Sequence, residues 1–168
     1  LGPRGPSAGT FRFRLGDAMD TEMERFILGL LAEHDSLTLA TLRRDGYPQA
    51  TTVGYVNDGL TLYVGVGADS QKAANIARDP RISLTVDRDY EDWGRIQGLS
   101  MGGRAELVAD DAEIRTALGL MEDKFPQIRD LLGPDPDLSE MVLLRITPEV
   151  ISVLDYTQGF GHTELVTV

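Results

Sequence analysis

The sequence predicts a mainly β fold, a small antiparallel barrel with helices packed outside it, on three observations. Short alternating apolar runs follow one another from residue 36 onward, only a few stretches have helical spacing, and glycines sit where strands must bend. At 168 residues the chain suits a single domain with a real core.

Residues 1–18, "LGPRGPSAGTFRFRLGDA", are Gly/Pro-rich and basic and lack the apolar centre of a signal peptide, so they are read as a flexible arm or an added leader ahead of a domain at 19–168. In "TEMERFILGLLAEH", Thr21 and Glu24 have capping-box spacing, and Met23, Phe26, Ile27, Leu30 and Leu31 share one face of an amphipathic helix. His34 is read as its C-terminal cap, where the helix dipole favours a cation or donor. The runs "SLTLATL", "QATTVGYV" and "LTLYVGV" alternate as strands. Asp45-Gly46 and Asp58-Gly59 join them as tight turns, because both residue types tolerate positive φ, and together they predict a three-stranded meander.

"GADSQKAANIARDP" then predicts a two-turn helix with Asp69 or Ser70 as N-cap, Ala73, Ile76 and Ala77 toward the core, and Pro80 as the stop. "RISLTVD" is a fourth strand through Ile82, Leu84 and Val86, and "RDYEDWGR" is a polar loop that Trp93 is expected to anchor. "IQGLSMGGRAELVA" reads as a long strand in which Gly98, Gly102 and Gly103 mark bulges, bends or close backbone approach. "DDAEIRTALGLMEDKF" is helical through Ile114, Ala117, Leu118 and Met121, with Pro126 limiting it; "PDPDLSE" is a loop. "MVLLRITPEVISVLDY" supplies one or two strands divided at Pro148, before the tail "TQGFGHTELVTV".

The formal net charge of −11 repels phosphate backbones and no basic patch offsets it, which argues against a nucleic-acid partner. No run of about 18 apolar residues exists to cross a membrane. With no cysteine and only His34 and His162, disulfide and thiolate chemistry are excluded and no metal site is expected; a reducing cytoplasm is the default compartment.

The chemistry concentrates where "GADSQKAANIARDP" begins. Free N–H groups at a helix start, the Ser70 hydroxyl, the Gln71 amide and the Lys72 ammonium suit a phosphate. Taken alone, the pattern more often describes a solvated lysine on a connecting helix. Two phosphate fingerprints are missing, since "GVGADS" lacks the third glycine of a dinucleotide motif and no GxxxxGK[ST] occurs.

Context adds to this. "LATL", the "DG-P" hairpin, an aromatic strand end, S-x-K followed by "NI-x-x-DPRIS", and a later "GRAELV" occur in that order between Ser36 and Val108, and the whole resembles the pyridoxamine 5′-phosphate oxidase-like family of flavin-binding split β-barrels. The resemblance implies a six- to seven-stranded antiparallel split β-barrel with flanking α-helices, FMN as cofactor, and a homodimer with the cofactor at the subunit interface. It gives the FMN phosphate to Ser70 and Lys72, with Gln71 where the oxidases have arginine. It lays the strand Ala50, Thr51, Thr52 and Val53 along the ring, and brings Tyr63 and Val64 to the ribityl chain and phosphate. Gln97 falls within one residue of a glutamine that approaches the ring, Tyr156 falls where the oxidases place a tryptophan from the other subunit, and His162 borders the substrate side. The expected activity is hydride transfer between flavin and a small substrate. The Arg-Leu ending of true pyridoxamine phosphate oxidases is missing from "GHTELVTV", so vitamin B6 oxidation is not expected. A deazaflavin reductase of the same fold and a non-catalytic flavin or haem binder are the alternatives.

Overall fold

The computed structural model describes residues 19–132 and 139–168. The chain runs α1 (Thr21–Glu33), β1 (Ser36–Leu42), β2 (Pro48–Gly54), β3 (Val56–Asp58), β4 (Thr61–Gly67), α2 (Gln71–Arg78), β5 (Arg81–Val86), β6 (Gln97–Leu107), α3 (Asp111–Lys124), α4 (Ile128–Leu132), β7 (Met141–Asp155) and β8 (Thr163–Thr167). The strands form one curled antiparallel sheet in the order β2-β1-β5-β6-β7-β4-β3, with β8 added along β7. This is the split barrel with flanking helices that the sequence predicts.

Alternation does most of the positioning. Ile82, Leu84 and Val86 of β5, with Leu37 and Leu39 of β1, point into a core that also takes Ile27, Leu30 and Leu31 from α1 and Ile76 from α2. A second, smaller cluster lies under α3, where Ala117 meets Val56, Tyr63 and Leu143. Thus α3 covers the outer face of the sheet at β3, β4 and the start of β7. An ion-pair network fastens it there: Arg145 of β7 donates to both Glu113 oxygens (3.0 and 2.9 Å) and to Glu106 (2.8 Å), and Tyr63 donates to Glu113 (3.0 Å).

Several expectations need correction. The three-stranded meander divides into two hairpins, because the buried Tyr55 turns the chain between β2 and β3; β2 pairs only with β1, and β3 only with β4. The cap of α1 is Asp20, one residue before Thr21, its carboxylate accepting from Met23 N at 2.8 Å. Ala77 is exposed, and the third inward position of α2 is the polar Asn75. Trp93 is 67% exposed; its loop is held instead by Tyr90, whose hydroxyl donates to the Gln97 carbonyl at 2.8 Å. Pro148 does not divide the last long strand. The register shifts opposite it, between Gly102 and Gly103, and this bulge accommodates the missing N–H. Gly103 owes its identity to that bulge, since a Cβ there would lie 2.3 Å from the Thr147 carbonyl oxygen. The tail forms β8, which its turn glycines Gly159 (φ 136°) and Gly161 (φ 82°) allow to fold back on β7. The arm at 1–18 and most of the "PDPDLSE" loop lie outside the described residues.

His34 does cap α1, its Nδ1 donating to the Leu30 carbonyl at 2.7 Å. No basic residue occupies the last turn of α1, and the cation there comes from α3: Lys124 donates to the carbonyls of His34 (2.6 Å) and Leu31 (3.4 Å), with its Nζ 4.0 Å from the centre of the Tyr55 ring. Burial pulls the Lys124 ammonium below its usual range, with Asp35 opposing. Lys124→Met keeps the aliphatic stem but strips the His34 carbonyl of its partner, and should lower stability by about 1 to 3 kcal/mol in urea unfolding.

Candidate functional site

The predicted residues fall into three places. At one end of the sheet, Ser70 is the N-cap of α2, its Oγ accepting from Ala73 N at 3.3 Å and keeping its own proton to donate. Among the described residues, the backbone N–H groups of Gln71 and Lys72 find no acceptor, and the half-buried Lys72 forms no ion pair. The other helices carry acid in the first turn, Glu22 and Glu24 in α1, Asp111 and Glu113 in α3, Asp130 in α4, whereas α2 has none. In a chain this acidic, α2 therefore presents the helix start best suited to an anion.

The Gln71 amide turns away from that start. Its Nε2 donates to Asn75 Oδ1 (2.9 Å), and Asn75 in turn donates to Thr41 Oγ1 (2.9 Å) and to Gln49 Oε1 (3.3 Å). Gln71 thus offers an anion its backbone N–H. Asn75 is 1% exposed, and its network ties α2 to the hairpin of β1 and β2. This brings Gln49, near the start of β2, to the helix, while Ala50 to Val53 run on from there along β1 toward Leu37. Thr51 and Val53 share the inward face with Gln49, whereas Ala50 and Thr52 lie on the outer face, where the Thr52 hydroxyl is 3.3 Å from that of Thr38. Because β2 is a sheet edge, alternate backbone groups along it are also free to meet a ligand.

Tyr63 and Val64 are elsewhere. Val64 lies fully inside the main core and Tyr63 under α3. Burial, then the Glu113 carboxylate, push the Tyr63 hydroxyl above its usual range, so it stays a donor to Glu113.

Gln97, Tyr156 and His162 gather at the opposite end of the sheet. Gly103 pairs with Ile82 near α2, and the run of β6 from there back to Gln97 covers about 20 Å. Gln97 opens β6 and lines a groove of about 390 Å³ together with Thr85, Arg88, Tyr90, Trp93, Ser100 and others. Tyr156 packs edge-on against the exposed Phe160, with ring centres 5.2 Å apart, and the His162 Nε2 lies 3.0 Å from Glu164. Between them Asp155, 7% exposed, accepts from Gln97 Nε2 (3.0 Å), from Thr157 N and Oγ1 (3.2 and 2.7 Å) and from Gln158 Nε2 (3.0 Å). Burial raises the Asp155 carboxyl, but these donors outweigh it and hold it below the usual carboxylate range.

On the sheet face away from the main core, the side chains between the two ends are half-buried or exposed. One register row crosses it as Thr52, Thr38, Thr85, Ser100, Ser152 and Leu165.

A profile of the pyridoxamine 5′-phosphate oxidase family matches residues 21–155, from the first turn of α1 to the end of β7. The chain belongs to the pyridoxamine 5′-phosphate oxidase family. Within it, general stress protein 26 of Bacillus subtilis is 25% identical over 80% of this chain and 89% of its own. The haem oxygenase HutZ of Vibrio cholerae is 24% identical over 89% of this chain and 81% of its own. Among solved structures, a haem-binding protein from Mycobacterium smegmatis shares the fold with a TM-score of 0.68 at 23% identity, over 82% of this chain and 55% of that one. The family match spans both ends of the sheet and includes residues that sequence reasoning missed. Asn75 carried a signal, its i,i+4 spacing from Gln71. Asp155 carried none, because its partner Gln97 is distant in sequence. No helix among the described residues is long and apolar enough to cross a membrane, and no cluster of three or more potential metal ligands occurs among them.

Proposed function

We propose that the protein is an FMN-binding flavoprotein that works as a homodimer, with the phosphate held at the α2 start and the ring in a groove completed by the second chain. The observation that carries this reading is the separation of the two half-sites: the α2 start and the Gln97 groove stand at opposite ends of the sheet, about 20 Å apart along β6. In the proposed dimer a two-fold axis brings the phosphate end of one copy beside the groove end of the other. The residues fit the cofactor. The free N–H groups of Gln71 and Lys72, the Ser70 hydroxyl and the Lys72 ammonium suit a phosphomonoester. The groove, with Trp93, Tyr90 and the Gln97 amide, suits a flat polar heterocycle.

When bound, a flavin would supply the redox chemistry, a capacity for hydride exchange with a small substrate. The chain's side chains position the ring, exclude water and need no nucleophile. Native mass spectrometry of the purified protein should give a dimer carrying two FMN, with the yellow absorbance of an oxidised flavin; a monomer, or a dimer that takes up no FMN, would overturn the reading. A deazaflavin would differ in absorbance and mass.

A second reading is haem held by His162. It is supported by the names of two relatives, a haem oxygenase and a haem-binding protein, and by a half-buried imidazole beside the groove end. Ligation through Nε2 would require displacing Glu164. A Soret band that disappears in His162→Ala would favour this reading over the flavin.

A further inference from the structure

We infer that Asp155 is a positioning residue: it locks the Gln97 amide with its oxygen toward the groove, so that the groove selects a heterocycle bearing an N–H on its edge. This rests on the flavin reading, in which that N–H is the ring imide.

The argument starts from hydrogen-bond polarity. An ionised carboxylate only accepts, so the atom of Gln97 that faces Asp155 at 3.0 Å is the amide nitrogen. Rotating the amide would set oxygen against carboxylate oxygen and lose the bond. The Gln97 Oε1 consequently remains an acceptor, and among the described residues no donor reaches it. Asp155 is itself immobilised. Its Oδ1 also takes the Thr157 N–H and hydroxyl, its Oδ2 takes Gln158, and its backbone N–H donates to the His162 carbonyl at 3.1 Å. Tyr90 holds the Gln97 backbone from the other side, through its carbonyl at 2.8 Å. Backbone and side chain of Gln97 are therefore both restrained before any ligand arrives. The Asp87 and Asp89 carboxylates and the Ser100 hydroxyl add further acceptors to the groove; Arg88, the cation there, lies over Tyr90 at 5.1 Å and faces Glu33 at 3.8 Å. A ligand edge bearing a donor is matched, and one bearing a methyl group leaves Gln97 Oε1 unpaired.

The test compares FMN with N3-methyl-FMN, which lacks the imide hydrogen, by titration followed through Trp93, the chain's single tryptophan and part of the groove lining. Wild type should bind FMN about tenfold more tightly, the worth of one well-placed hydrogen bond. Asp155→Ala should bind the two flavins alike. Gln97→Met, which leaves the turn at Asp155 intact, should lose the same preference, and the double variant should lose no more than either single change. A merely structural role for Asp155 would weaken both flavins equally and preserve their ratio, which would overturn the inference; so would a wild type with no preference. Failure of wild type to bind either flavin would overturn the flavin reading and this inference with it.

Discussion

Replacing Lys72 with alanine should weaken FMN binding by about 1.5 to 3 kcal/mol, roughly 10- to 150-fold, the range for a hydrogen bond to a charged group. The α2 start has no first-turn carboxylate, and among the described residues no acid pairs with Lys72, so its charge is not already neutralised within the chain. Lys72→Arg should retain most of the affinity. Raising the ionic strength should weaken wild type more than Lys72→Ala, because the variant has lost the screened charge. Fluorescence titration at two salt concentrations measures both effects, and an unchanged dissociation constant would remove Lys72 from the site.

The second large effect concerns the fold. Gly103→Ala should destabilise the protein by about 3 kcal/mol, the upper end for overpacking a tight site. The added Cβ would fall 2.3 Å from the Thr147 carbonyl oxygen and 2.9 Å from the Pro148 Cα, and both obstacles are backbone of the paired strand. Relief would require opening the bulge that accommodates Pro148. Gly119→Ala should act in the opposite sense. It sits on the exposed side of α3 with nothing within 4 Å of the added carbon, and glycine in a helix interior costs about 1 kcal/mol relative to alanine. Urea unfolding of the two variants beside wild type should give midpoint shifts of opposite sign.

Much of the fold was legible because it is local. Ile82, Leu84 and Val86 reveal the inner face of β5 by alternation alone, and Asp45-Gly46 and Asp58-Gly59 place two turns, at which Gly46 and Gly59 adopt φ of 82° and 57°. The misreadings have a common cause. Ala77, expected toward the core, is exposed, and Asn75 is buried in α2 instead, because a polar side chain can be buried when partners surround it, and those partners, Thr41 and Gln49, come from another hairpin. Trp93 was expected to anchor its loop, yet Tyr90 does so because its hydroxyl reaches the Gln97 carbonyl.

By itself, the sequence determined most of the strand and helix segments, the mainly β class and the short helix from Gln71 with Ser70 at its cap, since each depends on residues that are neighbours along the chain. Only the tertiary structure decided that Tyr63 serves α3, that Asp155 holds Gln97, and that the α2 start and the groove stand at opposite ends of the sheet. Antiparallel register sets those relations: pairing β1 with β5 and β5 with β6 carries Gln97 to the far end of the sheet from Ser70, and no local pattern encodes which strands pair.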